Sequence, residues 1–358
     1  MRIQPRILIL AIVLLIAFVV GQWFFFKSRF EAALPALEAQ AARLGFDIQY
    51  ETRTIKGFPF RLEAHYTRVR VARTDPLLSF AVEADQAVLL RQLLSTDLSL
   101  LYVDSPKVAA AMASPLPQGR TGELTFAFEA PAMQTSIRIA DGALARFSAV
   151  IDQPRGQSKL FALGDFTAKQ LQFHLGWPIE GRRAPDGQAA ERLQTNVQFT
   201  QLTLPNRDTE PLPASLEAGE IGLGITIPSY MPLTPQGLRM WQSQTGKVDV
   251  RKLTGQWGDV TLDSGMGSFT LDGEGKVKGT LTANIKGLAA LTYALDKTGA
   301  LGPQVEEAAL MTLRLLRTGK KAEDAVALPF DIDKGIVRLG PAPLVALGPV
   351  IPPEESQR

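Results

Sequence analysis

The hydrophobic pattern divides this chain into one long apolar run near its start and many short alternating segments after it. Residues 7–26 read ILILAIVLLIAFVVGQWFFF and are interrupted only by Gly21 and Gln22, with basic residues on both flanks. A helix rises about 1.5 Å per residue, so this run is about 30 Å long, the thickness of the hydrocarbon core of a bilayer. The run therefore predicts a transmembrane helix that follows a short N-terminal segment, residues 1–6.

The charges that flank this helix indicate its orientation. Two arginines and the terminal amine precede the run, and Lys27 and Arg29 follow it, so a small excess of positive charge favours a cytoplasmic N-terminus. A cleaved signal peptide is the alternative, because residues 19–21 form a weak cleavage site. The aromatic residues 23–26 continue past that site, as in a helix whose rings lie at the lipid headgroups. No later stretch approaches eighteen apolar residues. We expect a single-pass protein of the inner membrane of a Gram-negative cell, with the bulk of the chain in the periplasm.

A juxtamembrane helix is predicted directly after the apolar run, over residues 27–45. Phe30 and Leu34 recur at helical spacing, and Gly45 is a typical C-terminal stop. Pro35 interrupts the pattern and predicts a new helix start. We therefore expect two helices that meet at a kink close to the membrane surface.

Residues 46–340 are predicted to form a β-rich domain, because apolar and polar residues alternate in short segments separated by Gly and Pro. The sequence GFPF forms the first sharp turn, since Gly57 permits a positive φ and Pro59 has a fixed φ. We expect Phe58 and Phe60 to hold this turn on the protein core. The alternative is a membrane-facing lip, because the turn closely follows the juxtamembrane helix.

The next strand changes face along its length. Leu62 and Ala64 share one face, whereas Val69 and Val71 fall on the opposite parity. A bulge near Thr67 would bring all four side chains to one face.

Several later segments alternate cleanly between a dry and a wet face, as sheet strands do. Their apolar positions are candidates for the dry face of a sheet, and we call them the six dry-face residues. They are Leu124, Phe126, Phe128, Phe173, Val197 and Phe199.

The last third of the chain combines helices and strands. Thr234 is predicted to cap a short helix that begins at Pro235. A meander of strands then continues to residue 286, followed by two helices over residues 288–297 and 303–317 and by a closing hairpin.

Two stretches rich in proline suggest further boundaries. Residues 205–235 begin with a polar loop and mark a possible subdivision of the β-rich domain. Residues 341–358 are predicted to be a proline-rich tail outside it.

Composition and charge give no indication of an enzyme or a nucleic-acid-binding protein. The chain has 38 Lys and Arg, 36 Asp and Glu, a net charge of +2 and no cysteine, so it has neither a basic excess nor a thiol. The GxSxG, GxxxxGK and HExxH motifs are absent from the sequence. We expect no catalytic residue, no cofactor, no metal site and no nucleic-acid partner.

A few residues resemble chemical sites but are better explained as structural. His65 and His174 are the only histidines, and each lies in an alternating strand pattern. Asp331, Asp333 and Gly335 resemble the opening of a calcium loop but lack its later ligands and its closing Glu. They predict a hairpin turn.

Three segments carry a family resemblance together with the anchor. They are GFPFR at residues 57–61, LTGQWGDVTLDSGMGSFTLDGEGKVKGTL at 253–281 and LPFDIDKGIVRLGPAPL at 328–344. Over nearly its whole length the chain resembles an uncharacterised alphaproteobacterial domain-of-unknown-function family. That family has no established activity, so the resemblance implies no catalytic residue. The hairpins at 253–281 are also similar to those of AsmA-like envelope proteins, which have an inner-membrane anchor and a periplasmic β-sheet implicated in lipid handling.

The fold class follows from counting apolar faces. About twelve to fifteen strands have one apolar side each, but only three short helices follow the juxtamembrane region to cover them. We therefore expect a mainly β protein, with an N-terminal transmembrane helix followed by a large antiparallel, curved β-sheet and a few flanking helices. The sheet would be a half-pipe, a sandwich or an open barrel.

Two functions remain open on the sequence alone. A module that binds or handles lipid would leave an apolar groove lined by the six dry-face residues, and its partners would be the inner membrane and a phospholipid or another envelope lipid. A non-enzymatic structural or interaction protein would close that space and bind another envelope protein through its loops or sheet edges. The excess of apolar strand faces over helical cover favours the first.

Overall fold

The N-terminal helix of this computed structural model is one continuous element, α1 (Pro5–Arg43). The expectation of two helices that meet at Pro35 is wrong, because α1 continues through that residue. Proline removes one helical hydrogen bond. Phe30 and Leu34, in the turn before it, are only 5% and 2% exposed and pack against the sheet. This packing compensates for the lost hydrogen bond.

The structure describes most of the chain after α1, with gaps. The described residues are 5–43, 45–75, 78–92, 97–115, 121–140, 143–159, 164–177, 192–204, 212–226, 234–291, 293, 311, 315, 318, 324–340 and 342–351.

Twenty strands, a second helix and part of a third lie within the described residues. The first ten strands are β1 (Phe46–Gln49), β2 (Thr52–Lys56), β3 (Arg61–Thr74), β4 (Leu78–Gln92), β5 (Leu98–Asp104), β6 (Lys107–Pro115), β7 (Thr121–Glu129), β8 (Ala132–Ala140), β9 (Ala143–Asp152) and β10 (Arg155–Ser158). The remaining elements are β11 (Gly164–Thr167), β12 (Gln170–Gly176), β13 (Arg192–Thr203), β14 (Ser215–Thr226), α2 (Pro235–Ser243), β15 (Val248–Trp257), β16 (Val260–Leu271), β17 (Val277–Lys286), β18 (Val326–Asp333), β19 (Ile336–Leu339) and β20 (Ala342–Ala346). The side chain of Thr234 caps α2 as predicted, since its Oγ1 accepts a hydrogen bond from the Gly237 amide.

All twenty strands belong to one antiparallel sheet. The strands β1 and β2 lie end to end beside β3, which pairs with β4. The same end-to-end arrangement continues across the sheet from β4 to β13. The strands that lie end to end there are β5 with β6, β8 with β7, β9 with β10, and β12 with β11. From β13 to β20 each strand pairs with the next. The predicted mainly β, antiparallel fold is confirmed.

Two of the predicted boundaries are wrong. Residues 205–235 do not divide the sheet, because β13 pairs with β14 along nearly its whole length and β14 pairs in turn with β15. The proline-rich tail does not begin at residue 341, because Ala342–Ala346 forms β20 on β19. Pro343 is tolerated in that strand because the pairing shifts register beside it and β20 pairs on one side only among the described strands.

A transverse line of irregular backbone crosses the first half of the sheet, and we call it the crease. It contains Arg68, Ser105, Gln153 and Gln201, whose φ angles are 48°, 50°, 49° and 48°. The strand registers place these residues at one level of β3, the β5–β6 junction, the β9–β10 junction and β13. Non-glycine residues with positive φ are uncommon, so four at one level are a systematic feature of the sheet.

The crease switches which alternate positions face the apolar side of the sheet. Val103 and Ile151 are buried before it, and Pro106 and Pro154, three residues further along each strand, are buried after it. In a regular strand, residues three apart point to opposite faces. The switch therefore keeps the apolar side chains on one side, the inner face, and leaves the other side, the outer face, largely polar.

The predicted bulge near Thr67 is wrong in form, although the strand does change parity there. The irregular residue is Arg68, and β3 and β4 keep one register on both sides of it. No shift occurs because β4 crosses the crease too. It pairs Gln86 with Asp104 on one side and Glu83 with Lys107 on the other, so both partners advance by three residues.

Helices cover the inner face at the two ends of the sheet. At the start, Trp23, Phe30 and Leu34 of α1 pack against Leu62 and Ala64 of β3. At the far end, Leu288 packs against a cluster from β16 to β19. The cluster contains Val260, Ala283, Ile285, Val326, Leu328 and Leu339.

The helix predicted over residues 288–297 is present at 288–291 and 293. The rest of it, and most of the helix predicted over 303–317, lies outside the described residues.

The hairpin between β18 and β19 closes with a two-residue turn at Lys334 and Gly335. Their φ angles are 51° and 76°, and Asp333 pairs with Ile336 across the turn. Two positive φ angles in a two-residue loop are typical of a type I′ turn. The hairpin turn predicted from Asp331, Asp333 and Gly335 is confirmed.

Replacing Gly335 with alanine should destabilise the sheet. The new Cβ would lie 2.5 Å from the carbonyl oxygen of Leu347 in a residue with φ of 76°, so the free energy of unfolding should fall by about 1–3 kcal/mol. Gly273→Ala is the matched control, because nothing lies within 4 Å of its Cβ position. The control should change the free energy by less than about 0.5 kcal/mol. Urea unfolding followed by circular dichroism measures both, and equal effects would contradict the assigned turn.

Candidate functional site

The junction between α1 and the sheet is the first candidate site. Trp23 is buried at the end of the apolar run, and its Nε1 donates a hydrogen bond to the carbonyl oxygen of Arg61 at 3.3 Å. Phe30 and Leu34 continue the contact along the next turns of α1. The sheet therefore begins directly beside the end of the apolar run.

The GFPF turn lies at this junction. Gly57 has a φ of 101°, and its carbonyl accepts a hydrogen bond from the Arg61 amide at 3.1 Å, which closes the turn. The ring of Phe58 meets the ring of Trp23 edge to face, with centroids 5.3 Å apart. Phe58 and Phe60 remain 54% and 77% exposed. The expectation that both rings hold the turn on a core is therefore wrong for Phe60, because most of that ring is exposed.

A polar network fixes the last turns of α1 to β2. Glu38 accepts a charged hydrogen bond from Arg53 Nη1 at 2.6 Å and a second hydrogen bond from the Tyr50 hydroxyl at 3.3 Å. The rings of Tyr50 and Tyr66 meet edge to face at 5.1 Å. Burial raises the pKa of Tyr66, and the nearby Arg53 partly offsets this effect. Together with the apolar contact, the network sets the angle between α1 and the sheet.

The inner face forms the second candidate site, and its first part lies on one side of the crease. Phe126 is half-buried and stacks on Phe166, with ring centroids 5.4 Å apart. Phe128 is buried beside it and packs in one cluster with Ile151 and Phe166.

The second part of the inner face lies on the other side of the crease and is less covered. Phe173 is half-buried and contacts the edge of Phe147 at 6.3 Å. Val197 lies in register between Phe173 and Ile221, and Ile221 is 40% exposed. The Phe199 ring lies over Gly219, where a Cβ would overlap it.

Five of the six dry-face residues therefore lie on one face, in two groups separated by the crease. The side chain of the sixth, Leu124, lies outside the described residues. Leu171 links the two groups, because it packs against the Phe128 cluster and lies two residues before Phe173 in β12.

Sequence reasoning missed three inner-face residues, Phe166, Leu171 and Ile221. Phe166 lies in the four-residue strand β11, and Ile221 lies among glycines in β14. Both segments are too short or too irregular for alternation to be informative. Leu171 lies two residues before Phe173 and shares its face, so the alternating pattern of the sequence could have identified it.

The polar residues considered as chemical groups have structural contacts. His65 Nε2 lies 2.8 Å from Glu63 Oε2, and His174 Nε2 lies 3.4 Å from Gln172 Oε1. Among the described residues, no three His, Cys, Asp or Glu side chains converge as a metal site would require.

These features describe a β protein with a single antiparallel sheet, preceded by one helix that is long and apolar enough to cross a membrane. A family model described as an uncharacterized protein conserved in bacteria (DUF2125) matches residues 23–348. The chain therefore belongs to this family, and the predicted membership of a domain-of-unknown-function family is confirmed. No curated protein matches the chain. The matched range contains the GFPF turn, the junction with α1 and every described strand.

Leu34→Ala should loosen the junction between α1 and the sheet. The side chain is 2% exposed against β3, and removing a buried leucine side chain costs about 2–4 kcal/mol. Hydrogen exchange of the β2 and β3 amides should therefore become at least tenfold faster in the purified, detergent-solubilised protein. Leu37→Ala is the matched control, because Leu37 is 45% exposed on the same helix. Equal protection in both variants would contradict the packing role of Leu34.

Proposed function

We propose that this protein is a non-enzymatic, single-pass inner-membrane protein whose sheet lies in the periplasm and binds the acyl chains of lipids on its inner face. The observation that carries the proposal is the incomplete cover of that face. Helices pack on its two ends, while Phe173, Val197 and Phe199 between them are half-buried and Ile221 is exposed. A contiguous apolar surface of this kind favours an apolar partner.

The energetics suit exchange of lipid with a bilayer. Each methylene group moved from water to an apolar surface contributes about 0.8 kcal/mol, so an acyl chain is strongly held away from water. The same chain has a similar free energy in the membrane interior. Transfer between bilayer and protein is therefore close to balanced, which permits both uptake and release.

In this proposal, lipid reaches the inner face from the membrane at the junction between α1 and the sheet. The inner-face residues Leu62 and Ala64 contact α1 just after its apolar run. The exposed rings of Phe58 and Phe60 lie beside that contact, and aromatic rings are favoured at the lipid headgroup level. In this proposal the GFPF turn is a membrane-facing lip, and lipid passes from the bilayer to the first strands of the sheet.

A scaffold function is the second candidate, and the sheet edges support it. Within the described residues β20 pairs only with β19, and β1 and β2 pair only with β3. A strand with an unpaired edge can accept a strand of another protein. A partner envelope protein would then bind at the edge, and its own contacts would leave the inner face free.

Photo-crosslinking from the two faces of the same strands tests the lipid proposal. The photoreactive residue benzoylphenylalanine would replace Phe173 or Phe199 on the inner face and Gln172 or Gln198 on the outer face of full-length protein in its native membrane. Adjacent residues point to opposite faces, so phospholipid adducts should form at the two inner positions and at Phe60. The outer positions should give at least tenfold less adduct by mass spectrometry.

The outcome separates the two candidates. Equal lipid adducts on both faces, or none on either face of a folded protein, would contradict the lipid proposal. Protein adducts from benzoylphenylalanine placed on β20 would support the scaffold. A variant with Phe126→Asp and Phe173→Asp should also retain less co-purified phospholipid than the wild type, because two charges would interrupt the apolar face.

Reporter fusions test the periplasmic location. A reporter that is active only in the cytoplasm, fused after Arg358, should be silent in a Gram-negative host, whereas the same reporter fused before Met1 should be active. An active C-terminal fusion would contradict the proposed topology, since the chain has a single helix of sufficient length and hydropathy among its described residues.

A further inference from the structure

A pocket on the outer face lies across five neighbouring strands, β9, β12, β13, β14 and β15. It has a volume of about 230 Å³ and is lined by Arg146, His174, Asn196, Arg251 and Lys252 together with Gly176 and Gly222. We call it the basic pocket. Its side chains His174 and Asn196 alternate with Phe173 and Val197 along β12 and β13, so they lie on the side of the sheet opposite the inner face.

Glycines create the space. Gly176 of β12 and the two β14 residues Gly222 and Gly224 lie on either side of β13, where they pair with Gln194 and Asn196. Each replaces a side chain that would otherwise fill the outer face at that point. The pocket therefore has a floor of backbone and walls of long polar side chains.

A β-bulge positions Arg251 in the wall. Gly222 pairs with Lys252 and Leu223 pairs with Val250, so Arg251 is the extra residue of β15. Bulges turn a side chain out of the regular alternation. The Arg251 guanidinium lies against Gly224, where a Cβ would be 2.7 Å from Nε. Arg251 and Lys252 consequently both line the pocket although they are adjacent in sequence.

The acidic neighbours of the pocket already have cationic partners. Glu220 pairs with Lys252 at 2.6 Å and accepts a hydrogen bond from Asn196 Nδ2 at 2.7 Å. The Lys252 hydrogen bond is the main cause that lowers the pKa of Glu220. Asp249 pairs with Lys247 at 3.0 Å. Neither carboxylate is left to neutralise the two arginines.

The positive charges of the two arginines are not neutralised by a described carboxylate. Within the described part of the chain, neither Arg146 nor Arg251 has an ion pair with a carboxylate. Arg146 also lies directly opposite Arg138 in the β8–β9 register, and like charges in that position are unfavourable. An anion in the pocket would relieve this repulsion.

We propose that the basic pocket binds a phosphate group. Two planar guanidinium groups match the several oxygens and the double charge of phosphate, and each can donate two parallel hydrogen bonds. His174 and Lys252 add further donors at the same wall. A volume of about 230 Å³ accepts a phosphate with a small substituent such as glycerol and is below the usual size of pockets for larger ligands. The proposal does not depend on lipid binding at the inner face, because the two surfaces are on opposite sides of the sheet.

Isothermal titration of full-length protein in non-ionic detergent tests the site. Inorganic phosphate and glycerol 3-phosphate represent a soluble source, and nanodiscs that contain phosphatidylglycerol represent a lipid headgroup. The double variant Arg146→Gln, Arg251→Gln should bind the preferred probe at least tenfold more weakly, because it lacks two charge-assisted contacts.

A second variant fills the pocket and leaves every charge in place. A Cβ on Gly176 meets only Gln194 Cβ, at an ordinary 3.9 Å, so Gly176→Leu should fold normally and should block the floor. It should also weaken binding at least tenfold. Arg155→Gln is the control, because it removes an exposed arginine that pairs with Glu129 outside the pocket, and it should bind as the wild type does.

The outcomes distinguish the sources and test the proposal. If both pocket variants lose binding of the soluble probes, the ligand is a small phosphate compound. If both variants lose binding of the nanodiscs alone, the ligand is a lipid headgroup. The proposal is overturned by the absence of saturable binding of any probe at about 10 mM, well above a Kd that a weak site would have. It is also overturned if Arg155→Gln weakens binding equally, or if Gly176→Leu binds as the wild type does.

Discussion

The structure depends on one constraint, which is that a very wide hydrogen-bonded ladder must keep its apolar side chains on a single face. Pairing alone does not ensure this, because a single inserted residue turns the rest of a strand over. In the first half of the sheet, the crease meets the constraint in neighbouring strands at one level. Arg68, Ser105, Gln153 and Gln201 change parity at one level, so neighbouring strands remain in register and the inner face stays apolar on both sides.

The two faces consequently have different roles in the molecule. The inner face is covered by helices at both ends and is less covered between them, so its free apolar surface lies in the middle of the sheet. The outer face is polar and mostly balanced by ion pairs between strands, such as Arg155 with Glu129 and Lys252 with Glu220. The basic pocket is the place where this balance fails, because its two arginines, of which Arg251 lies on a bulge, have no ion pair with a carboxylate among the described residues.

Local features were predictable from the sequence, whereas features that depend on pairing were not. Alternation identified β7, β12 and β13 and the face of Phe126, Phe173 and Val197, because a half-buried strand repeats every two residues. The continuity of α1 through Pro35 could not be predicted, since it rests on packing against β3. The basic pocket could not be predicted either, because it joins residues that are more than a hundred positions apart, and their spacing in the chain says nothing of their register.

The pairing order of the sheet has a consequence for how the protein is made. Each strand after β3 pairs with at least one strand that precedes it in the chain, and the sheet ends at its last described strand, β20. The helix α1 leaves the ribosome before the strands and provides the surface on which β3 packs. The sheet can therefore grow by addition to one advancing edge while synthesis continues, and each newly exposed edge is covered by a segment that emerges within the next three strands. The sheet is thus built outward from α1, and each described strand after β3 finds a partner among the strands that precede it.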